Sequence, residues 1–358
     1  MIKLATMKIL ILGPSWVGDM VMMHSLVRYL HRSHPDAAID IAAAKWCLPV
    51  ATRMSEVRQC IELPYQHGVF SWAQTKAFAS ELKKASYDWC IVIPNSFKAA
   101  LLPWLAGIPK RTGWRGEFRY GLLNDSRKLP ASEFSQQVLR FAQLHNFSAN
   151  MATFSAAEPS FLRPSLVCNP ESAAQVASML KLDMGVRPVV VLCPGAEYGE
   201  SKRWPVRHFA ALAEKLVAHH FQVWFMASAK EAALCEAILA KISSSYHAFC
   251  FNLAGKTTLG EAIDLLSLAS CVVANDSGLL HVASALSLPV VGLYGSTAPD
   301  FAPPLAAQAS VFYRNLNCSP CHARVCPKGH LKCLYEIHPK EVLLAVLSFV
   351  SSLKLKGA

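Results

Sequence analysis

Charge is scarce in this chain. Asp, Glu, Lys and Arg make up 16% of its 358 residues while 53% are hydrophobic, which excludes a disordered chain too polar to bury a core. Long apolar runs are absent as well. The nearest, Val342 to Val350, is half the length of a membrane span and is followed by Lys354 and Lys356, so any membrane contact is expected to be peripheral. The opening MIKLATMKILILG lacks a long apolar region ending in a small-residue cleavage site. No export signal is read there, and Met7 is an alternative start. There is no GxGxxG, which weighs against a dinucleotide site. Gly13-Pro-Ser-Trp-Val-Gly18-Asp19 has the outline of a phosphate loop, but an aspartate stands where the lysine is required. That carboxylate would repel nucleotide phosphates, so the nucleoside-triphosphatase reading fails.

Acidic residues are the minority sign: 24 Asp and Glu against 35 Lys and Arg leave a formal charge of +11. Attraction to polyanions follows, whether phosphorylated lipid, nucleotide or nucleic acid. Eight of the twelve cysteines are scattered, and Cys90, Cys193 and Cys271 interrupt apolar strand-like runs. They read as small buried hydrophobes in a reducing compartment. Strand-like segments at Ile9–Leu12, Ile39–Ala43 and Tyr87–Ile93 alternate with helical patterns at Asp19–Arg32 and Phe97–Leu105. After a Ser-, Ala- and Pro-rich middle at about 149–187, the pattern restarts. Strands are expected at Pro188–Leu192, Gln222–Met226, Cys271–Ala274 and Pro289–Leu293, with helices at Val206–His219 and Lys230–Ile242. The fold class is therefore α/β, with two doubly wound parallel sheets. The boundaries are set at 1–165, 166–338 and a last helix, 339–358, that could pack on either domain.

Four constellations carry chemistry. Asp19 opens a helix after a strand-to-helix turn and is a candidate general base, the alternative being an Asp placed for the helix dipole. Asn275-Asp276-Ser277-Gly278 joins a buried strand to an apolar helix containing His281, a turn suited to an anionic ligand. Cys193–Pro205, CPGAEYGESKRWP, combines Gly195 and Gly199 with Lys202 and Arg203 ahead of a Pro-started helix, a place to meet a diphosphate. Lys98–Lys128 interleaves seven Lys or Arg with Trp104, Trp114, Phe118 and Tyr120, which suits a phosphorylated sugar or a nucleic acid equally. Apart from these, Cys318, Cys321, Cys326 and Cys333 fall within sixteen residues and are read as ligands of a structural metal, most simply zinc. Reduced unmetallated thiols and disulfides are the alternatives.

At these residues the chain resembles the bacterial ADP-heptose:lipopolysaccharide heptosyltransferases of glycosyltransferase family 9, type II in particular. The resemblance runs through GPSWVGDM (13–20), IPNSFKAAL (93–101), GIPKRTGWRGEFRYGLLND (107–125), CPGAEYGESKRWP (193–205), ANDSGLLHVASAL (274–286) and LYGSTAPDFAPPL (293–305). It implies a GT-B architecture of two Rossmann-like domains facing a cleft, with acceptor bound by the N-terminal domain and donor by the C-terminal one. It implies transfer of L-glycero-D-manno-heptose from ADP-heptose to the first heptose of the lipopolysaccharide inner core, with inversion. Asp19 then matches the family's proposed base and Lys202 assists the departing ADP. Gly195, Glu197, Ser201, Asn275, Asp276, Ser277, Gly278 and His281 fall to the donor; Ser15, Trp16, Asn95, Lys98, Arg111, Trp114, Arg115 and Arg119 fall to the acceptor. No cofactor is expected for catalysis, and no nucleic-acid partner. Residence is expected in the cytoplasm, at the inner face of the inner membrane. Type I or III enzymes, sharing the donor and differing in acceptor, are the nearest alternative; a basic zinc module binding nucleic acid is a more distant one.

Overall fold

The computed structural model describes residues 6–64, 71–129, 136–145, 162–185 and 187–356, with side chains as far as Ser351. The stretch 149–161 of the Ser-, Ala- and Pro-rich middle lies outside the described residues. Two compact units are present, Met1–Val167 and Cys168–Ala358.

The first unit carries strands β1 (Lys8–Leu12), β2 (Ala38–Ala43), β3 (Val57–Glu62), β4 (Trp89–Val92), β5 (Lys110–Trp114) and β6 (Asp125–Arg127). Its helices are α1 (Val17–Ser33), α2 (Leu48–Ala51), α3 (Trp72–Ala85), α4 (Phe97–Leu105) and α5 (Gln137–Gln143). The second unit carries β7 (Val189–Cys193), β8 (Gln222–Phe225), β9 (Cys250–Asn252), β10 (Cys271–Asn275), β11 (Val290–Tyr294) and β12 (Ala309–Tyr313). Its helices are α6 (Pro170–Met179), α7 (Val206–Ala218), α8 (Ala232–Leu239), α9 (Leu259–Leu266), α10 (Gly278–Ala285), α11 (Lys332–Tyr335) and α12 (Pro339–Lys356). Each expected strand falls on an observed one within a residue or two.

The first sheet runs β3-β2-β1-β4-β5-β6 and the second β12-β11-β10-β7-β8-β9, every pair parallel. Counted from its own first strand, each sheet has the doubly wound order 3-2-1-4-5-6. The two units therefore share one topology, and in each the winding reverses between the first and fourth strands: β1 and β4, then β7 and β10. Central strands such as VVVLC, and KILIL beyond its first residue Lys8, are buried because helices cover both faces of a parallel sheet. Local chemistry ends the loops on time: Ser96 Oγ accepts from Ala99 N at the start of α4, and Asn169 Oδ1 accepts from Glu171 N and Ser172 N at the start of α6. The last helix, α12, packs on α7 and on β10 and β11, within the second unit. Val342 and Val346 join the core built around Trp204, Phe209 and Phe225.

Two buried polar groups inside the first unit, Asp40 and His24, are paired. Asp40, fully buried, accepts from Tyr87 Oη at 2.6 Å and from Arg58 Nε at 2.9 Å. His24, also fully buried, receives Ser165 N on Nδ1 at 3.1 Å, so its proton sits on Nε2 and is donated to Glu56 Oε2 at 2.8 Å. This clips the segment leading out of the first unit onto α1. Burial alone would raise the Glu56 pKa, but the His24 and Ser55 hydrogen bonds outweigh it and hold the carboxyl well below its ordinary range. A carboxylate with a depressed folded-state pKa adds stability above its unfolded pKa, about 4.3, and loses it as the pH falls toward the folded value. Wild-type protein should therefore lose about 1–2 kcal/mol more than Glu56→Gln between pH 5 and pH 3 in urea denaturation followed by fluorescence.

Candidate functional site

Most of the site residues named from the sequence lie at the carboxyl ends of the strands at or beside the two reversal points. In a doubly wound sheet the loops leaving the carboxyl ends of the first and fourth strands turn to opposite faces, and the crevice between them is where ligands bind. In the second unit these are the loop 194–205 after β7 and the turn 276–277 after β10.

One side chain stitches them together. Asn275 is fully buried; its Nδ2 donates to Pro194 O at 2.8 Å, and its Oδ1 accepts from Trp204 N at 3.0 Å. Its amide thus grips both ends of the 194–205 loop. Beside it, Lys202 Nζ and Thr297 Oγ1 both donate to Asp276 Oδ2, each at 2.5 Å, and His281 Nε2 lies 3.9 Å from Asp276 Oδ1. Burial lowers the His281 pKa, with the Asp276 charge opposing it. Ser277 caps α10 with an extended backbone but makes no capping bond through its hydroxyl. That hydroxyl and the first-turn N–H groups beginning at Gly278 stand at the positive end of the helix. A buried lysine, a hydroxyl and a helix N-terminus grouped around one carboxylate can neutralise a diphosphate and bond to sugar hydroxyls.

The other donor candidates are positioned differently. Ser201 is buried, its Oγ shared between Ser296 Oγ at 3.0 Å and Ala323 O. Glu197 is exposed and pairs with Lys230 Nζ at 3.0 Å. Gly195 passes so close to Glu231 that an added Cβ would lie 2.3 Å from its carboxylate, and that carboxylate accepts from Ala196 N at 2.7 Å. At Gly199 a Cβ would meet Arg324 O at 2.3 Å.

In the first unit, Asp19 lies in the first turn of α1, half-buried, behind the Ser15-Trp16 loop. Burial pushes the Cys47 thiol up to about 12, with the neighbouring Asp19 charge adding to the shift. Across the reversal, Asn95 and Lys98 follow β4. Arg119 donates to Pro94 O at 2.8 Å and also to Asn95 Oδ1 and Trp114 O, tying the loop after β5 to the loop after β4. Its burial lowers the guanidinium pKa, with Glu117 opposing. Arg111 donates to Leu122 O and Ile108 O, both at 2.6 Å. Arg115 is exposed, and Trp114 ends β5 half-buried. Asp19, Ser15, Trp16, Asn95, Lys98 and Arg115 thus lie at this end of the sheet, with Arg119 bracing its loops, whereas Arg111, expected at the acceptor, stands at the amino end of β5 and ties the segments entering β5 and β6.

The segment 318–333 packs against the donor loop. Tyr198 Oη donates to His322 O at 2.6 Å, Ser201 N to Arg324 O at 3.1 Å, and Ser296 O accepts from Cys321 N and His322 N at 3.1 and 2.8 Å. All four cysteines are free thiols. The Cys333 pKa is pushed up to about 11 by burial and then by the other three thiols, so the four lie within electrostatic reach of one another. The N–H groups of Leu331, Lys328, Gly329 and His330 face the Cys326 sulfur and lower its pKa. Among the described residues no three His, Cys, Asp or Glu side chains stand ready-made around a metal ion. Thr297, Ser296 and Glu231 carry no role in the sequence reading. Only the position of LYGST at a strand end could have flagged the first two.

Two Rossmann-like units of the same doubly wound order are the architecture of a GT-B glycosyltransferase. A family model described as glycosyltransferase family 9 (heptosyltransferase) matches residues 75–332, and the chain belongs to that family. It is 41% identical over 337 residues to lipopolysaccharide heptosyltransferase 2 of Escherichia coli K12, covering 94% of this chain and 97% of the relative. Lipopolysaccharide heptosyltransferase 1 of Pseudomonas aeruginosa is 24% identical over 331 residues, covering 89% and 87%. The structure of E. coli ADP-heptose lps heptosyltransferase II superposes with a TM-score of 0.85 at 39% identity, over 97% of this chain and 100% of that one.

Replacing Asn275 with Ala would leave Pro194 O and Trp204 N buried without partners. We expect a loss of about 2–4 kcal/mol in urea denaturation, against a shift within about 0.5 kcal/mol for the exposed Glu197→Ala.

Proposed function

We propose that this chain transfers L-glycero-D-manno-heptose from ADP-heptose to the first heptose of the lipopolysaccharide inner core, as a type II heptosyltransferase. The observation that carries this is near-full-length likeness to type 2 relatives together with a built anion site in the second unit. A type I acceptor is the second reading, and the more distant likeness to a type 1 relative weighs against it.

In this mechanism an acceptor hydroxyl attacks the anomeric carbon as the bond to the β-phosphate oxygen breaks. Asp19 takes the hydroxyl proton, and ADP leaves with the bonding pair. Lys202 turns from Asp276 toward the new diphosphate charge, aided by the Ser277 hydroxyl and the α10 N-terminus. Asp276, held by Thr297, then faces the heptose hydroxyls. Asn275 and Ser201 hold the loop that carries Lys202. Because lysine and backbone donors supply the neutralising charge, the transfer needs no divalent cation or cofactor. Ser15, Trp16, Asn95, Lys98, Trp114 and Arg115 meet the phosphorylated acceptor, braced by Arg119.

Cys318, Cys321, Cys326 and Cys333 are proposed as structural zinc ligands. Four thiols on one short segment, one already facing backbone N–H groups, suit a tetrahedral thiophilic ion once the sulfurs draw together. Among the described residues no helix is long and apolar enough to cross a membrane. The proposed place of work is the cytoplasmic face of the inner membrane, where the lipid-anchored acceptor and the +11 charge bring the protein.

Incubation with ADP-heptose, single-heptose core and chelator, followed by ADP release and acceptor mass, tests the reading. One added heptose supports it; transfer only to heptose-free core makes the enzyme type I. Asp19→Asn should lower kcat by about 10²–10⁴-fold while ADP-heptose still binds. Lys202→Ala should lower kcat/KM by about 10²–10³-fold. Wild-type turnover in the first variant would remove Asp19 from its role. Elemental analysis of reduced protein should find one zinc per chain, lost in Cys321→Ser; a metal-free wild type would refute the zinc proposal and leave the transferase standing.

A further inference from the structure

The loop after β5 also presents two aromatic rings, Phe118 and Tyr120, to which the transfer chemistry gives no role. Arg119 is only 3% exposed, yet its neighbours Phe118 and Tyr120 are 86% and 75% exposed. Arg119 fastens the loop inward through Pro94 O, Asn95 Oδ1 and Trp114 O. The Glu117 carboxylate makes a second tie, accepting from Phe97 N at 2.9 Å. Between these anchors Glu117 and Phe118 both hold left-handed backbone, at φ 41° and 51°. That conformation is unfavourable for a bulky aromatic and persists only where the surroundings impose it. The anchors thus hold two aromatic rings outward.

The rings are not isolated. The carboxyl ends of β2, β1, β4 and β5 are neighbours in the sheet, and exposed Trp46, Trp16, Phe97 and Phe118 follow these strands in that order. Trp46 Nε1 donates to Ser15 O at 2.9 Å, joining two of the loops. Lys45, Lys98 and Arg115 are exposed on the same loops, against Glu117 and the half-buried Asp19 as acids. Aromatic rings interleaved with cations match the boundary of an anionic bilayer, where rings enter the headgroup layer and cations meet lipid phosphates.

We propose that this rim docks the first unit onto an anionic phospholipid surface, with Phe118 and Tyr120 as the inserted wedge. The inference rests on the reading of the acceptor as lipid-anchored. Docking by the same rim that carries Asp19 would hold the proposed base close to the membrane surface that anchors the acceptor heptose, which diffusion from bulk solution does not arrange.

The test uses full-length protein and co-sedimentation with phosphatidylglycerol/phosphatidylethanolamine vesicles, with phosphatidylcholine vesicles alongside, in the absence of donor and acceptor. The variant Phe118→Asn/Tyr120→Ser keeps a residue that tolerates left-handed backbone at 118. Wild-type protein should sediment with the anionic vesicles and not the neutral ones, and the variant should partition about tenfold less, with unchanged Tm and ADP-heptose affinity. Transfer to vesicle-embedded acceptor should then fall several-fold further than transfer to the deacylated acceptor. Wild-type partitioning by the variant would overturn the proposal. So would equal losses on the two acceptors, which would make the rim a sugar contact. Because the vesicle measurement needs no transfer, it separates failure of docking from failure of the heptosyltransferase reading.

Discussion

Everything at the two sites depends on a reversal of winding. Because crossovers in a parallel sheet are right-handed, a chain that fills one side of its first strand and then the other sends successive loops to opposite faces. Backbone N–H groups and side chains at the carboxyl ends of β1 and β4, and of β7 and β10, are thereby left at the switch points where such sheets bind ligands. Asn275 then makes the second of these specific: one buried amide fixes both ends of a twelve-residue loop, 194–205, and so fixes where Lys202 stands.

The charge at the proposed donor site is stored before any ligand arrives. Lys202 and Asp276 are both largely buried and paired, so each removes the cost of an isolated buried ion from the other. In the proposed mechanism a diphosphate competes for the lysine, and the carboxylate keeps Thr297 as a partner. The segment 318–333 contributes through main-chain atoms, since carbonyls 322 to 324 receive Tyr198, Ser201 and the backbone at 201. Its cysteines thus sit beside the donor loop without entering the anion site.

Not every cation in a basic stretch is available to a ligand. In the run 98–128, Arg111 and Arg119 spend their guanidinium groups on backbone carbonyls and Asn95, while Lys98 and Arg115 remain exposed. A formal charge of +11 therefore overstates what the surface of that stretch offers and understates how firmly its loops are braced.

Strand and helix positions were legible in the sequence because apolar runs and Pro, Gly and Ser punctuation are local. The turns carrying Asp19, Lys202 and Asp276-Ser277-Gly278 were legible for the same reason. Short edge strands such as Val57–Glu62 and Asp125–Arg127 were not, because partly exposed segments of three to six residues lack an apolar signature. Nor was the division of labour among the named polar residues. Whether Asn275 faces a ligand or grips a loop, whether Arg119 reads an acceptor or braces a loop, and that Thr297 meets Asp276 depend on partners 21 to 81 positions away. Local pattern determined which chemistry the chain carries and on which turns. Only the tertiary structure decided which of those side chains are spent internally, because a hydrogen bond belongs to whichever distant partner the fold brings within 3 Å.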